Sequence, residues 1–218
     1  MSIKEELTKS QVAFLEKHKI SEELLINAEG SDMTEELSQR MLEEEKAFAY
    51  NTSECAANKN HQFKTYDGQC PQCSTASIQM ALKEYESGYV YIIGSVKAGL
   101  VKVGSAAEIV KRVKTLNGTA SKFANCDDWE MLYYAKTNKI GRIVRLMQEK
   151  LSNYLDTRQY NKSDKPQKGN ELFRCSYNKA KQAFIEVHEE QQIEFSQKVE
   201  KSGITDYYQF RNLIATAV

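Results

Sequence analysis

Long apolar runs are missing from this 218-residue sequence, and so is an even set of cysteines. No stretch approaches the ~20 apolar residues that a membrane-spanning helix needs, so we predict no membrane contact. The opening residues MSIKEELTKS lack the apolar core of a signal peptide, which favours a cytoplasmic location. The chain has 5 cysteines, and an odd number in the reducing compartment that we predict argues against a disulfide framework.

A net charge is also missing, because 30 basic residues balance 30 acidic ones. The balance hides two segments of opposite sign. Residues 1–55 carry 13 Asp+Glu against 6 Lys+Arg, a balance of −7, whereas residues 139–182 carry 11 Lys+Arg against 4 Asp+Glu, a balance of +7. A basic segment with an acidic neighbour is typical of polyanion-binding proteins, although solvated faces that differ in sign would give the same totals.

One segment has almost no aliphatic side chains but is rich in metal-ligand types. It reads CAANKNHQFKTYDGQCPQC, which is the spacing C-x5-H-x8-C-x2-C. Cys70 and Cys73 form a knuckle-like pair, and Cys55 and His61 complete the four ligands of a tetrahedral Zn²⁺ site. Four ligands leave no open position, so the predicted zinc is structural. The alternative is four unrelated residues in a loop.

The remaining patterns predict an α+β fold, with a small three-stranded antiparallel sheet and flanking helices. The N-terminal region is predicted to be helical, with helices starting at Ser10, Ser21 and Thr34, the last running to about Ala49. The later elements are predicted as strands at 89–93, 100–103 and 130–137, helices at 106–116, 140–155 and 176–201, a loop from Gln159 to Asn170, and a short helix in the tail.

These elements suggest four regions along the chain. They are an acidic helical region at 1–53, a zinc-type segment with a linker helix at 54–86, a sheet domain at 87–185 and a C-terminal helical extension at 186–218. The C-terminal helix mixes apolar residues with many Glu and Gln, which suits packing on the core or pairing into a homodimer. The acidic N-terminal helices could bind a partner protein, mimic DNA or shield the basic surface before substrate arrives.

The stretch from Gly88 to Arg112, GYVYIIGSVKAGLVKVGSAAEIVKR, carries a family resemblance. Gly88-Tyr-Val-Tyr91, then Lys102-Val-Gly104, then Arg112 on the next helix resembles the core of the GIY-YIG nuclease superfamily. A third strand, a helix and the segment Asn170-Glu-Leu-Phe173 continue the match to about residue 185. The layout is similar to a bacterial branch that places a Cys/His zinc-type segment ahead of the nuclease core.

The resemblance implies a DNA endonuclease that hydrolyses phosphodiester bonds with Mg²⁺ or Mn²⁺. It gives Tyr91 the role of positioning or deprotonating the nucleophile and Arg112 the role of contacting the phosphate. Lys102 stands where the second triplet often has tyrosine, and its ammonium would lie beside the phosphate. Gly104 would allow a close turn between strand and helix.

The sequence departs from the family where a helix glutamate should hold the metal. The best register places Val144 there, and valine cannot bind a metal. Gln148 lies about 40° from Val144 around the helix, and Glu149 about 140°. Glu149 is the candidate catalytic carboxylate of this helix, although the helix would have to rotate to present it. Glu171, Asp127 and Asp128 are further acids that the fold could bring close.

Three hypotheses follow from this pattern. The first is the endonuclease with an altered metal site. The second is an inactive module of the same fold that binds nucleic acid or a protein. In both, the basic segment 139–182 would contact a DNA backbone through Lys162, Lys165, Lys168 and Arg174, with Tyr154, Tyr160 and Phe173 interleaved. The alternative for these lysines is a flexible solubilising loop. The third is a zinc-organised interaction protein whose hairpin resembles the family by accident.

Overall fold

The chain folds into two units, Met1–Tyr85 and Glu86–Val218. The computed structural model describes residues 3–118, 122–162, 165–168 and 171–214, with side chains from 161 to 170 outside the description. In the described part of the chain, no helix is both long and apolar enough to cross a membrane.

The first unit combines three helices with a small three-stranded sheet. Its elements are α1 Lys9–His18, β1 Leu25–Asn27, α2 Glu35–Glu43, β2 Phe48–Tyr50, β3 Lys64–Thr65 and α3 Thr75–Lys83. Strand β2 lies in the centre, parallel to β1 and antiparallel to β3. The Thr34 hydroxyl accepts from the Leu37 amide at 3.1 Å, which caps α2 as the sequence predicts.

Two helix predictions in this unit are wrong. Ser21 caps only a 3₁₀ turn at Glu22–Leu24, after which β1 begins. Helix α2 ends at Glu43 instead of about Ala49, because Glu45 takes a positive φ of 57° and the chain then enters β2. The buried pairs of β1 and β2 outweigh local helix preference, so the N-terminal region is not purely helical.

The second unit is built on a five-stranded sheet, which corrects the predicted three strands. Its elements are β4 Gly88–Ser95, β5 Leu100–Ala106, α4 Arg112–Leu116, β6 Trp129–Thr137, α5 Ile140–Lys150, β7 Gln159–Lys162, β8 Lys165–Lys168, β9 Leu172–Phe173, α6 Tyr177–Gln191, β10 Gln197–Glu200 and α7 Ser202–Thr205. The strand order is β10-β6-β4-β5-β9, and each neighbouring pair is antiparallel.

Other element predictions in this unit need correction. Helix α6 stops at Gln191 because Gln192 takes a left-handed conformation, and the predicted helical extension contains the edge strand β10. Helix α4 has only five residues, and α5 ends at Lys150 before a 3₁₀ turn at Ser152–Tyr154. The predicted loop from Gln159 contains the hairpin β7–β8.

The two faces of the five-stranded sheet have different coverings. Alternate residues of β4 and β5, such as Val90 and Val103, pack with α5 and α6 in one apolar cluster. The residues between them, such as Tyr91 and Leu100, pack on the other face with Leu116 of α4. The predicted site residues Tyr91 and Lys102 therefore lie on the α4 face, opposite to α5.

Candidate functional site

Tyr91 and Gly104 form a cross-strand pair at the centre of the α4 face. They are directly opposite in the β4–β5 ladder, and the tyrosine ring lies over the glycine. A Cβ added at Gly104 would be 2.6 Å from the Tyr91 hydroxyl oxygen and 2.7 Å from Cζ. Gly104 lies within β5, so it provides space for Tyr91 rather than the predicted turn into the helix.

Gly104→Ala is expected to destabilise the second unit by about 1–3 kcal/mol, since the added methyl overpacks a buried ring. The tyrosine would have to move, which would also displace Arg112. Thermal unfolding of the variant measures the loss. Gly203→Ala is the matched control, because a Cβ there meets nothing within 4 Å. Equal melting temperatures for the two variants would contradict the proposed packing role.

Arg112, the first residue of α4, meets this tyrosine directly. Its Nε donates to the Tyr91 hydroxyl at 2.8 Å, and its Cζ lies 5.8 Å from the ring centroid. The side chain is half-buried. The hydrogen bond uses one of the five guanidinium N–H groups, and the fork of terminal nitrogens has the geometry that binds phosphate oxygens. Tyr91 and Arg112, two of the four predicted catalytic residues, are thus in contact.

The Tyr91 hydroxyl is a neutral phenol in this setting. Its side chain is fully buried. Burial raises the pKa of Tyr91, and the nearby Arg112 charge acts in the opposite direction without cancelling that effect. A phenol with a raised pKa keeps its proton at neutral pH. The hydrogen bond from Arg112 and the burial of the ring favour Tyr91 as the residue that positions Arg112 over a role as a base.

Lys102 lies on the same face, two residues before Gly104 along β5. Its side chain is fully buried, and its ammonium pairs with the carboxylate of Glu171, which directly precedes β9. The Lys102 Nζ also lies 4.8 Å from the centroid of the Phe123 ring. The strand pairing of Lys102 with Leu172 brings the carboxylate there. Of the acids singled out in the sequence, Glu171 is thus the one held by Lys102.

Asn117 anchors the end of α4 and was missed by the sequence interpretation. Its side-chain oxygen accepts from the Trp129 amide at 2.9 Å, and its amide donates to the Trp129 carbonyl, also at 2.9 Å. These two bonds fix α4, and with it Arg112, to the start of β6. An Asn directly after a helical Leu is a recognisable helix-end signal, but its partner is 12 residues away.

The side chains of α5 do not lie where the predicted metal site needs them. Val144 is buried in the apolar cluster on the opposite face of the sheet from Tyr91. Gln148 donates to the Val103 carbonyl at 3.4 Å. The candidate carboxylate of Glu149 is largely exposed and pairs with Arg145 at 2.9 Å, one turn earlier on the same helix.

The described donors on the α4 face do not fit a Mg²⁺ or Mn²⁺ site. Such ions prefer several oxygen ligands, mostly carboxylates. The face instead presents the cations Lys102 and Arg112, and the Glu171 carboxylate is neutralised by Lys102. Asp127 and Asp128 are engaged at the β4–β5 turn, where both interact with Lys97.

The basic region after α5 is only partly available for nucleic-acid contacts. Phe173 is fully buried, and Arg174 pairs with Asp156 at 3.5 Å. Tyr160 packs edge-on against Phe123, with ring centroids 5.1 Å apart. Burial raises the pKa of Tyr160, and the Arg112 charge only partly opposes that effect. The predicted phosphate contacts of three lysines fall on side chains outside the description: Lys162, Lys165 and Lys168.

The four predicted metal ligands in the first unit do come together. Their ligand atoms all lie within 4.8 Å of one another: Cys55, His61, Cys70 and Cys73. The Cys73 sulfur is 3.6 Å from that of Cys55 and 3.3 Å from the His61 Nδ1, which is 3.8 Å from the Cys70 sulfur. A tetrahedral zinc site places such atoms roughly 3.3–3.8 Å apart, given bonds of about 2.0–2.3 Å. The cluster forms a possible zinc-binding site.

Local backbone geometry explains why this cluster forms. The amides of Cys73 and Ser74 donate to the Cys70 carbonyl at 3.2 and 3.1 Å, which turns the chain as in a zinc knuckle. The other loop closes through the Cys55 amide and the His61 carbonyl at 3.1 Å. A hydrogen bond from the Ala57 amide is the main factor that lowers the Cys55 pKa to about 7, whereas the hydrogen bonds with Cys55 and Cys70 raise the Cys73 pKa to about 11. Metal binding would therefore release the Cys73 proton.

Residues 88–188 match the model of the T5orf172 domain. The match begins at the first residue of β4 and ends within α6, so it contains Tyr91, Lys102 and Arg112. That domain is associated with nuclease-like and DNA-binding functions. No curated protein and no solved structure gives a significant match to the chain.

Proposed function

We propose that the second unit binds the phosphate backbone of nucleic acid, DNA in the first instance, through Arg112. The observation that carries the proposal is the 2.8 Å bond from the Arg112 Nε to the Tyr91 hydroxyl. This bond fixes the guanidinium through Nε and leaves the two terminal nitrogens as the groups that would bind phosphate oxygens. The matched T5orf172 domain supports a nucleic-acid ligand.

Each residue of the site has a defined task in this binding. Tyr91, kept neutral by burial, holds the guanidinium in place. Gly104 leaves room for the tyrosine ring. Lys102 is buried and paired with Glu171, so it acts as a positioning residue that ties β9 to β5. Asn117 fixes the helix that carries Arg112.

A second candidate function is cleavage of the bound strand, as in the GIY-YIG superfamily. The favouring observation is the juxtaposition of a tyrosine hydroxyl with an arginine on the predicted hairpin and helix. Cleavage with a divalent ion would require oxygen ligands other than the carboxylates of Glu171 and Glu149, because these pair with Lys102 and Arg145. Binding without cleavage therefore agrees better with the donors on this face.

Arg112→Ala is expected to weaken DNA binding by about 2 kcal/mol, or roughly thirtyfold, because it removes a charge-assisted phosphate contact. It should also reduce the slope of log affinity against log salt concentration by about one, the value for one phosphate contact. Fluorescence anisotropy with a labelled duplex at several salt concentrations measures both effects. The melting temperature of the variant shows whether the fold is retained.

Lys111→Ala is the matched control, because Lys111 is the exposed neighbour of Arg112 and pairs with Glu108 at 3.1 Å. It removes the same charge without touching Tyr91. Equal losses in the two variants would reduce Arg112 to a general surface charge and contradict the site. Incubation of the same proteins with plasmid and Mg²⁺ or Mn²⁺ tests the second candidate, which predicts nicking that Arg112→Ala abolishes.

A further inference from the structure

A group of tyrosines continues the α4 face beyond Arg112. Tyr134 is the cross-strand partner of Tyr91 on β6, and Lys136 is the partner of Tyr89. Side chains at paired positions, and at every second position along a strand, share a face. Tyr89, Tyr134 and Lys136 therefore lie on the same face as Tyr91, and we name these three residues the tyrosine patch.

The tyrosine patch combines partly exposed rings with a positive charge. The rings of Tyr89 and Tyr134 meet edge to face, with centroids 5.8 Å apart, and both are half-buried. The exposed Lys136 places its ammonium 5.9 Å from the centroid of Tyr89. Partly exposed aromatic rings beside an exposed cation suit a ligand that carries flat rings and negative charge.

An apolar depression of about 260 Å³ adjoins the patch next to Tyr134. Ile109 and Val113 from the α4 side and Met131 from β6 line it. At its rim, Glu130 pairs with Lys201 at 3.9 Å. The lysine partly neutralises the carboxylate, which therefore repels an anionic ligand less. The apolar surface therefore continues from the tyrosines towards α4.

We infer that the tyrosine patch stacks the bases of an unpaired nucleic-acid strand whose phosphate is held by Arg112. The inference rests on the proposed function and narrows its ligand to single-stranded or locally unpaired nucleic acid. Tyr91 links the two parts, because it bonds Arg112 and is paired across the sheet with Tyr134. A strand that crosses from β5 to β6 places its backbone near Arg112 and its bases over the patch.

The bases of a duplex cannot use this patch in the same way. In a duplex each base is stacked on its neighbours and paired, so its flat faces are not accessible to a tyrosine. Unpaired bases expose those faces, and stacking on aromatic side chains tolerates any sequence. The tyrosine patch therefore adds affinity for unpaired strands, whereas Arg112 serves both forms through the phosphate.

Tyr134→Ala and Tyr89→Ala test this inference with two probes of equal length, a labelled oligothymidine and a blunt duplex. We expect each to weaken oligothymidine binding about tenfold and to leave duplex binding within about twofold. Tyr134→Phe keeps the aromatic face and should retain oligothymidine binding. Tyr207→Ala, which removes an exposed tyrosine of the C-terminal 3₁₀ turn, should change neither affinity. Thermal unfolding checks that each variant is folded. Lys136→Ala, at an exposed position, should weaken oligothymidine binding independently of the tyrosine variants.

The two levels of the proposal fail in different ways. Suppose that Arg112→Ala weakens the binding of both probes, whereas the tyrosine variants weaken neither or weaken the two to the same extent. The stacking inference is then wrong and the phosphate site stands. If wild type binds neither probe, both proposals are wrong. A wild-type dimer in sedimentation that Tyr134→Ala dissociates, with no change in oligothymidine binding, would show that a second copy covers the patch and would overturn the inference.

Discussion

Removal of metal with a strong chelator is expected to release one zinc ion per chain and to unfold the segment from Cys55 to Cys73. Few other contacts order the segment. Phe63 lies in the core and stacks with Phe14, with ring centroids 5.6 Å apart. Tyr66 packs at the edge of a second apolar cluster, and β3 pairs with β2 over only two residues. Zinc binding to a site that does not exist in the unfolded chain contributes directly to folding.

The first unit has further core of its own, so we expect loss of part of its stability and not of all of it. A loss of about 3 kcal/mol or more would lower its melting temperature by more than ~10 °C. C70S/C73S should have the same effect without chelator. The zinc content of the purified protein, measured by mass spectrometry, is expected to fall from one to zero in this variant.

His61→Ala and His18→Ala provide a matched pair for the zinc site. His61 lies in the cluster, whereas His18 ends α1 and packs against Phe14. Only His61→Ala should weaken zinc binding. A purified wild-type protein that holds no zinc, and whose melting temperature is unchanged by chelator, would show that the four residues form no metal site.

Glu171→Ala is expected to destabilise the second unit by about 2–4 kcal/mol. The variant leaves the fully buried Lys102 ammonium without this carboxylate, and breaking a buried ion pair on one side costs about 3–5 kcal/mol. We expect somewhat less here because Glu171 is itself partly exposed, so water can enter the space that it leaves. Chemical denaturation of the wild type and the variant measures the difference.

Lys102→Met is the informative counterpart. This variant removes the buried charge itself, and the carboxylate that loses its partner, Glu171, is partly exposed and can be solvated by water, so the variant should unfold close to wild type. The double variant K102M/E171A should then recover most of the stability lost in Glu171→Ala. An equal loss in Lys102→Met and Glu171→Ala, with no recovery in the double variant, would contradict a pairwise buried interaction.

Local sequence signals predicted several elements correctly. The hairpin β4–β5 follows from two β-branched runs around a Gly turn, and the start of α2 follows from Thr34 as N-cap. The Cys/His spacing likewise predicted the cluster that its four residues form. These features depend on residues that are close in the sequence, where composition and spacing carry the information.

Distant pairing produced the elements that were missed. Strand β10 was predicted as helix because Ile193 and Phe195 continue an apolar spacing, but Gln192 ends α6 and residues 197–200 pair with β6 more than 60 positions earlier. Strand β1 follows directly after the residues from which the sequence predicts a helix, with Ser21 as N-cap and glutamates in the first turn. A short strand gains its stability from its partner, so its own residues carry little signal.

The sequence by itself determined the α+β class, the central hairpin and the Cys/His cluster, and the family resemblance singled out Tyr91 and Arg112 as candidate site residues. Only the tertiary structure decided which groups share a face. It buried Val144 behind the sheet, paired Lys102 with Glu171 and aligned Tyr134 with Tyr91. The physical reason is that the direction of a side chain depends on strand register and helix packing, which join residues far apart in the chain.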